Sequence, residues 1–259
     1  MTPLNRIPPS LSEIVATRRA AYAGRATMPP ADLSPASGRF LAALDGQSPA
    51  LIAEIKPRSP SEGVLQAAPD LTRLLPVYDA YAVAISVLTE PDYFGGGFEL
   101  LAEVTRRSLR PTLCKDFIVH PAQIHDARRA GAEAALLIVK ILDDAQLDDL
   151  HAEIRRWKMT PIVEVQTEAE LERALRVDPA VILINNRNLE TFEISLDTTK
   201  RLAPRVPSGI VTVAASGIHR RADIETLLPY CTRFLVGTRL MRAADLATAF
   251  ADLLGQGRA

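Results

Sequence analysis

Polar side chains with acid–base potential stand inside or just after short apolar runs of this 259-residue chain. They are Glu54, Lys56, Lys115, Glu164, Asn185 and Arg187. A carboxylate inside an apolar run must be paired or functional, because burying an unpaired charge costs several kcal/mol. Two lysines that lie close together lower each other's pKa, and two glutamates can hold them in place, which is an arrangement that acid–base catalysis uses. Taken singly, each residue is also explained as an ion-pair member, a solvated edge residue or part of a loop.

Hydroxyl and glycine residues follow the first, seventh and eighth apolar runs. They are Ser59, Ser216, Gly217, Gly237 and Thr238. Backbone N–H groups in glycine-containing loops bind phosphate, and nearby hydroxyls add further donors. These residues therefore predict a phosphate site, with simple turn glycines as the alternative explanation.

Eight apolar runs must position these side chains. Each run is continuous rather than alternating, which is typical of parallel strands that are buried on both faces. Their starts lie roughly 20–32 residues apart, which is enough for a strand, a helix and two loops. The predicted strands cover 51–55, 83–88, 111–114, 134–139, 161–165, 181–185, 210–214 and 233–237.

Amphipathic segments separate the predicted strands. The later ones cover 121–132, 167–177, 221–230 and 243–254. Thr167, with Glu170 three residues on, predicts a capping box at the start of one helix. Eight strand–helix pairs in a chain of this length predict a (β/α)8 TIM barrel. A doubly wound sheet is disfavoured, because EIKPRSPSEG after the first strand lacks the G-x-G-x-x-G pattern.

The first fifty residues precede the predicted barrel. They carry one clear helix at about 10–24 and a shorter one near 36–44. A segment of this size is thin for a separate domain. We therefore predict that residues 1–50 form a helical extension that caps the barrel, and that residues 51–259 form the catalytic barrel of a single-domain protein.

Composition bounds the function classes. The formal net charge of −1 gives no electrostatic footprint for nucleic acid or for an anionic membrane. No apolar stretch approaches the length that spans a bilayer, and the N-terminal residues lack the apolar run of a signal peptide. Two cysteines without a recognisable spacing fit a reducing compartment. We expect a cytoplasmic protein that acts on a small molecule.

Several longer motifs, taken together and in order, resemble the indole-3-glycerol phosphate synthase family. The matching segments are AEIKPRSPSEG, ISVLTEPDYFGG, LCKDFIVHPAQIHDARRAGA, ALLIVKIL, VEVQTEAELERAL, INNRNLETFEISLDTT and LVGTRLMR. The resemblance runs from about residue 50 to residue 245 and implies the same barrel fold.

The resemblance implies a lyase of tryptophan biosynthesis. Such an enzyme closes the pyrrole ring of 1-(2-carboxyphenylamino)-1-deoxyribulose 5-phosphate with loss of carbon dioxide and water, and it needs no metal or organic cofactor. Lys115 is then the general acid toward the substrate ketone, and Glu164 is the base or the stabiliser of the developing iminium. Lys56 and Glu54 assist, and Asn185 orients the network. The implied oligomeric state is a monomer or a weak homodimer.

The resemblance also assigns the binding residues. Those implied to hold the phosphate are Ser59, Gly217, Gly237 and Thr238, and Arg187 and Ser216 are implied to bind the substrate or its phosphate. Those implied to pack the anthranilate ring are Phe94, Phe117 and Leu136. Without the resemblance, the sequence predicts these three apolar residues to be part of the hydrophobic core.

Two positions depart from the family pattern. Ala215 stands where the family usually has glutamate before Ser-Gly, and Arg239 stands where a small polar residue is usual. We expect Arg239 to face solvent rather than phosphate. Ala215 leaves open a divergent paralogue, which either makes a substituted indole precursor in secondary metabolism or binds phosphosugars without catalysis. Another phosphate-binding barrel, such as a phosphoribosyl isomerase, is disfavoured by the KDF and NNR motifs.

Overall fold

A closed barrel of eight parallel strands forms the centre of the molecule in the computed structural model, which describes residues 9–29, 31–46 and 48–256. The strands are β1 (Ala50–Ile55), β2 (Arg58–Ser59), β3 (Gly63–Val64), β4 (Ala84–Leu88), β5 (Thr112–Lys115), β6 (Ala134–Ile138), β7 (Thr160–Val165), β8 (Val181–Asn185), β9 (Val211–Ala215) and β10 (Arg233–Val236). The barrel order is β1-β10-β9-β8-β7-β6-β5-β4, and β2 pairs with β3 in a separate antiparallel hairpin.

Helices connect the strands and surround the barrel. They are α1 (Leu11–Tyr22), α2 (Arg39–Ala43), α3 (Leu71–Tyr81), α4 (Phe98–Arg107), α5 (Pro121–Arg129), α6 (Asp144–Arg156), α7 (Glu168–Leu175), α8 (Asp197–Leu202), α9 (Arg221–Leu227), α10 (Thr238–Met241) and α11 (Leu246–Leu254). No helix in the described part of the chain is long and apolar enough to cross a membrane. The arrangement confirms the predicted (β/α)8 fold.

Burial explains why the barrel strands were predictable. Every residue of β4, β6, β7, β8 and β10 is buried, so each of these strands consists mainly of apolar residues without alternation. Each of the eight predicted runs overlaps one barrel strand, and 181–185 coincides with β8. The hairpin β2–β3 was not predicted, because two strands of two residues each give no periodic pattern.

The predicted cap of α7 forms with one difference. The Thr167 side chain accepts a hydrogen bond from the backbone N–H of Glu170 at 3.2 Å, as predicted. The Glu170 carboxylate, however, accepts from the N–H of Gln166 at 2.7 Å rather than from Thr167. The carboxylate therefore caps the turn one residue before the expected position.

The described residues that precede β1 contact both ends of the barrel. In α1, Arg18 pairs with Asp116, which follows the carboxyl end of β5. At the opposite end, the guanidinium of Arg233, at the start of β10, donates to the backbone carbonyls of Leu44 at 2.6 Å and Ser48 at 2.7 Å. The domain boundary at residue 50 stays a prediction, and the predicted units include residues 1–8, 30, 47 and 257–259, which lie outside the described residues.

Candidate active site

A cavity opens at the carboxyl ends of the barrel strands. All of the site residues predicted above line it, namely Glu54, Lys56, Ser59, Phe94, Lys115, Phe117, Leu136, Glu164, Asn185, Arg187, Ser216, Gly217, Gly237 and Thr238. The fold thus brings these side chains together, because parallel strands deliver their carboxyl ends to one mouth. Their chemical roles stay predictions.

A lysine, a carboxylate and an amide form a chain on one side of the cavity. Lys115, at the end of β5, places its Nζ 3.8 Å from Oε2 of Glu164 in β7. Asn185, at the end of β8, donates from Nδ2 to the other carboxylate oxygen, Oε1, at 2.9 Å. Glu164 is buried, and its Oε2 has no hydrogen-bond partner among the described residues. This oxygen is therefore free to stabilise a positive charge beside the Lys115 ammonium.

A second lysine–glutamate pair lies on β1 and the residue that follows it. The Nζ of Lys56 lies 3.2 Å from Oε1 of Glu54, and both side chains are largely buried. Gly237, just after the neighbouring strand β10, makes room for this pair, since a Cβ there would lie 2.3 Å from the same oxygen of Glu54. Each of the two lysines at the cavity mouth, Lys56 and Lys115, is therefore paired with one glutamate.

The turn after β9 is fixed by the two asparagines that end β8 and begin the next loop. Ser216 has a left-handed backbone with φ of 66°, which is uncommon for a residue other than glycine. Its hydroxyl donates to Oδ1 of Asn185 at 2.8 Å, and its carbonyl accepts from the side chain of Asn186 at 3.1 Å. Gly217 follows with φ of 77°, and a Cβ there would lie 2.6 Å from Ile194. These contacts hold a strained turn at the cavity edge.

The polar end of the cavity is formed by the hairpin β2–β3 and the loops after β8 and β10. Arg187 donates to the hydroxyl of Ser61 at 3.0 Å and to Oε1 of Glu62 at 3.0 Å. The hydroxyl of Thr238 donates to the same oxygen of Glu62 at 3.2 Å. Ser59 is buried and accepts from the backbone N–H of Glu62 at 3.2 Å. A guanidinium and several hydroxyls thus converge where the sequence predicted a phosphate site.

Two phenylalanines form the apolar wall. The rings of Phe94 and Phe117 lie 5.7 Å apart between centroids and are tilted by 40°. Leu136 from β6 lines the cavity beside them. Phe94 is positioned by the buried carboxylate of Glu90, which accepts from its backbone N–H at 2.9 Å. This wall suits a flat aromatic ligand group.

A buried ion pair supports the turn next to Lys115. Oδ2 of Asp116 accepts from Arg18 of α1 at 2.6 Å and from the hydroxyl of Thr89 at 2.9 Å, while Oδ1 accepts from the backbone N–H of Phe117 at 2.8 Å. Burial raises the pKa of the Asp116 carboxyl, and the Arg18 charge acts against that shift. The ion pair therefore connects helix α1 to the residue that follows Lys115.

The two departures from the family pattern lie in different surroundings. Ala215 ends β9, pairs in register with Asn185 and Leu235, and presents its buried methyl group to the cavity. Arg239 instead lies 3.6 Å from Asp252 of the outer helix α11. The Arg239 side chain is about one-third exposed, which agrees with the solvent-side position expected from the sequence.

Some lining residues were not predicted. Leu189 and Phe192 from the loop after β8 and His219 from the loop after β9 also face the cavity. Leu189 and Phe192 occur inside the matched segment INNRNLETFEISLDTT, whereas His219 lies outside the matched segments, and none of the three interrupts an apolar run. A left-handed backbone at Phe192, with φ of 62°, gives no signal in the sequence.

Comparison with known proteins identifies a family and several relatives. The family model described as indole-3-glycerol phosphate synthase matches residues 4–253. The indole-3-glycerol phosphate synthase of Polaromonas naphthalenivorans is 42% identical over 221 residues, which cover 85% of this chain and 84% of the relative. The tryptophan biosynthesis protein TrpCF of Salmonella typhi is 39% identical over 228 residues, which cover 88% of this chain. The chain spans about half the length of the TrpCF relatives it matches.

Solved structures support the fold. A 3-hexulose-6-phosphate synthase matches with a TM-score of 0.62 and 15% identity, and covers 80% of this chain and 98% of its own. A chain of the tryptophan synthase a2b2 complex from Pyrococcus furiosus matches with a TM-score of 0.60 and 15% identity, and covers 81% of this chain and 99% of its own. At this identity the likeness concerns the barrel architecture alone.

Proposed function

The chain belongs to the indole-3-glycerol phosphate synthase family, and on that premise we propose that it closes the pyrrole ring of 1-(2-carboxyphenylamino)-1-deoxyribulose 5-phosphate with loss of carbon dioxide and water. The observation that carries the proposal is the pair of Lys115 and Glu164. An ammonium lies 3.8 Å from a buried carboxylate oxygen, in a cavity with an aromatic wall and a polar end.

In ring closure, Lys115 donates a proton to the ketone oxygen while the aromatic carbon that bears the carboxylate attacks the ketone carbon. The ring nitrogen supplies electrons, so an iminium cation forms, and the free oxygen of Glu164 stabilises that charge. The bond to the carboxylate then breaks, carbon dioxide leaves, and the electron pair neutralises the cation. Asn185 holds the Glu164 carboxylate in position through its other oxygen.

Dehydration completes the indole. The hydroxyl made from the ketone leaves as water after it accepts a proton, and the neighbouring ring carbon loses a proton. Lys56 donates the proton that the leaving hydroxyl accepts, and the Glu54 carboxylate, 3.2 Å from the Nζ of Lys56, accepts the proton that the ring carbon loses. Two lysine–glutamate pairs in one cavity thus match the two proton-transfer stages of the reaction.

Substrate binding divides between the two ends of the cavity. Phe94, Phe117 and Leu136 contact the anthranilate ring, because these three side chains form the apolar wall. The phosphate binds at the polar end, to the hydroxyls of Ser59, Ser216 and Thr238, the guanidinium of Arg187 and the loops at Gly217 and Gly237.

The enzyme is a lyase of tryptophan biosynthesis in this proposal. It works in the cytoplasm as a monomer or a weak homodimer, without a cofactor. Both cysteines are free and buried, which suits a reducing compartment.

Turnover of the synthetic carboxyphenylamino-deoxyribulose phosphate, followed by indole fluorescence, tests the proposal. The wild type is expected to form product. Lys115→Ala is expected to form none while it still binds the substrate, because it removes the general acid and leaves the polar end intact. Lys200→Ala removes a lysine of an exposed pair on α8 and serves as the matched control. Substrate binding without product in the wild type would sink the proposal.

Ala215 favours a second candidate function. Among the described residues, three carboxylates line the cavity, those of Glu54, Asp116 and Glu164. The Asp116 carboxylate already forms an ion pair with Arg18. A methyl group at residue 215 therefore suits a paralogue that acts on a ring-substituted substrate, or one that only binds phosphosugars. Ala215→Glu is expected to raise turnover of the unsubstituted substrate if the alanine is a simple loss, whereas an equal or lower rate supports the specialised substrate.

A further inference from the structure

Glu62 lies at the tip of the hairpin β2–β3 and reaches across the cavity mouth. Its Oε1 accepts from Arg187 at 3.0 Å and from Thr238 at 3.2 Å. Its Oε2 lies 3.6 Å from a guanidinium nitrogen of Arg242. One carboxylate is therefore the common partner of groups from two separate parts of the chain, the loop after β8 and the short helix α10 with its C-cap after β10.

The hairpin tip is held over the part of the barrel where the polar end of the cavity lies. The hairpin follows β1, whereas Arg187 follows β8, and β10 and β9 stand between them in the barrel. Ser61 at the tip also accepts from Arg187 at 3.0 Å. The tip consequently bridges the ends of the two strands that lead into Gly217 and Gly237.

The contacts of Glu62 coincide with the groups assigned above to the substrate phosphate. Arg187 and Thr238 both line the cavity, and both are engaged by the same carboxylate oxygen. A carboxylate and a phosphate carry charges of the same sign, so each weakens the binding of the other at shared donors.

The carboxylate is incompletely satisfied in its present position. Oε2 of Glu62 is hidden from solvent and makes no hydrogen bond to any described residue. A buried acceptor oxygen that makes no hydrogen bond is costly even with the Arg242 guanidinium 3.6 Å away, and a phosphate offers Arg187 and Thr238 a larger charge and more acceptor oxygens. Glu62 is thus a weaker partner for Arg187 than a phosphate in the same place.

We propose that Glu62 is an internal anion that engages Arg187 and Thr238 until the substrate phosphate displaces it. Glu62 thereby sets the affinity of the cavity for phosphorylated ligands. The inference rests on the proposed function in one respect, that the phosphate binds at Arg187 and Thr238. A purely supporting Glu62, which orients Arg187 toward the ligand, predicts the opposite sign of effect when its charge is removed.

Titration calorimetry with inorganic phosphate as the probe separates these two roles. Glu62→Gln keeps the shape and one acceptor oxygen but removes the charge. It is expected to lower the dissociation constant of phosphate about tenfold relative to the wild type. Glu103→Gln makes the same chemical change in a solvent-exposed pair on α4 and is expected to leave that constant unchanged. Equal or weaker phosphate binding by Glu62→Gln would overturn the inference.

Steady-state kinetics keeps this inference distinct from the proposed function. If the protein is the synthase, Glu62→Gln lowers KM with little change in kcat, because Glu62 does not touch the reacting atoms. A fall in kcat without a fall in KM overturns the inference. If no variant turns over the substrate, yet Glu62→Gln binds phosphate more tightly than the wild type, the inference stands and the proposed function fails.

Discussion

Replacement of Arg18 by methionine removes the charge that links the first described helix to the residue after Lys115. Methionine keeps most of the apolar length of the side chain, so the change isolates the ion pair with Asp116. Both partners are buried, and their closest atoms lie 2.6 Å apart. The substitution therefore leaves a carboxylate inside the protein without its counter-charge.

The size of the effect follows from the contacts that remain. Removing one member of a buried pair costs about 3–5 kcal/mol of unfolding free energy. After Arg18→Met, Asp116 still accepts from Thr89 and from the backbone N–H of Phe117. Because two of its hydrogen bonds survive, we expect the lower end of that range, about 3 kcal/mol.

The same perturbation has a signed dependence on pH. Burial already raises the pKa of Asp116, and loss of Arg18 removes a charge that opposes this shift. A carboxyl whose pKa is higher in the folded than in the unfolded state favours folding at low pH, and it loses that contribution as the pH rises through the folded value. The destabilisation by Arg18→Met is therefore expected to be larger at pH 7 than at pH 4.5.

Urea unfolding and steady-state kinetics measure the two consequences. We expect kcat to fall about tenfold or more, because a shift of the Asp116 turn moves the adjacent Lys115. The double variant Arg18→Met/Asp116→Asn should cost less than the sum of the single variants, since it removes both charges. A loss below about 1 kcal/mol for Arg18→Met, or strict additivity in the double variant, would refute the reasoning.

Three further predictions follow from other parts of the structure. Gly237→Ala is expected to displace the Glu54 carboxylate and to lower kcat/KM about tenfold or more, with the fold retained. Gly97→Ala is the control and should leave kcat/KM unchanged, because its methyl group would contact only the exposed side chain and the backbone N–H of Glu99. Burial lowers the pKa of His151 to about 4, so the unfolded state takes up more protons as the pH falls. The wild type should therefore lose about 2 kcal/mol of stability between pH 7 and pH 5 from this residue, and His151→Gln should lose less. Burial also raises the pKa of both cysteine thiols, and we expect neither to react with a thiol reagent until the protein unfolds.

Each of these predictions has an outcome that contradicts it. Unchanged kinetics of Gly237→Ala would show that the Glu54 carboxylate is not needed where it lies. Urea melts of His151→Gln that are as steep in pH as those of the wild type would exclude His151 as the source of acid sensitivity. Rapid labelling of a native thiol would show that its burial is transient.

The barrel could be predicted from the sequence where burial acts on both faces of a strand. VILIN is apolar up to Asn185, so its bounds match β8. The last helix was predicted to begin at residue 243, but it begins at Leu246, because Asp245 caps the N–H of Thr248 at 3.0 Å. Local capping of this kind competes with an apolar pattern that extends across it.

The candidate site was predictable for the residues that break an apolar strand. Glu164 is the clearest case, since a carboxylate within a strand needs a partner. Phe192 and Glu62 were missed as site residues because they lie in connections, where aromatic and charged residues are common. Their proximity to the cavity depends on how the loops fold back, which no short spacing in the sequence encodes.

The hydrogen bonds from Arg233 to the backbone carbonyls of Leu44 and Ser48 have a consequence for biosynthesis of the chain. The guanidinium belongs to the last barrel strand, while its acceptors precede the first. A nascent chain that leaves the ribosome from its N-terminus cannot make this contact until β10 has been translated. The contacts between β10 and the segment before β1 therefore form only after all the other barrel strands have been synthesised.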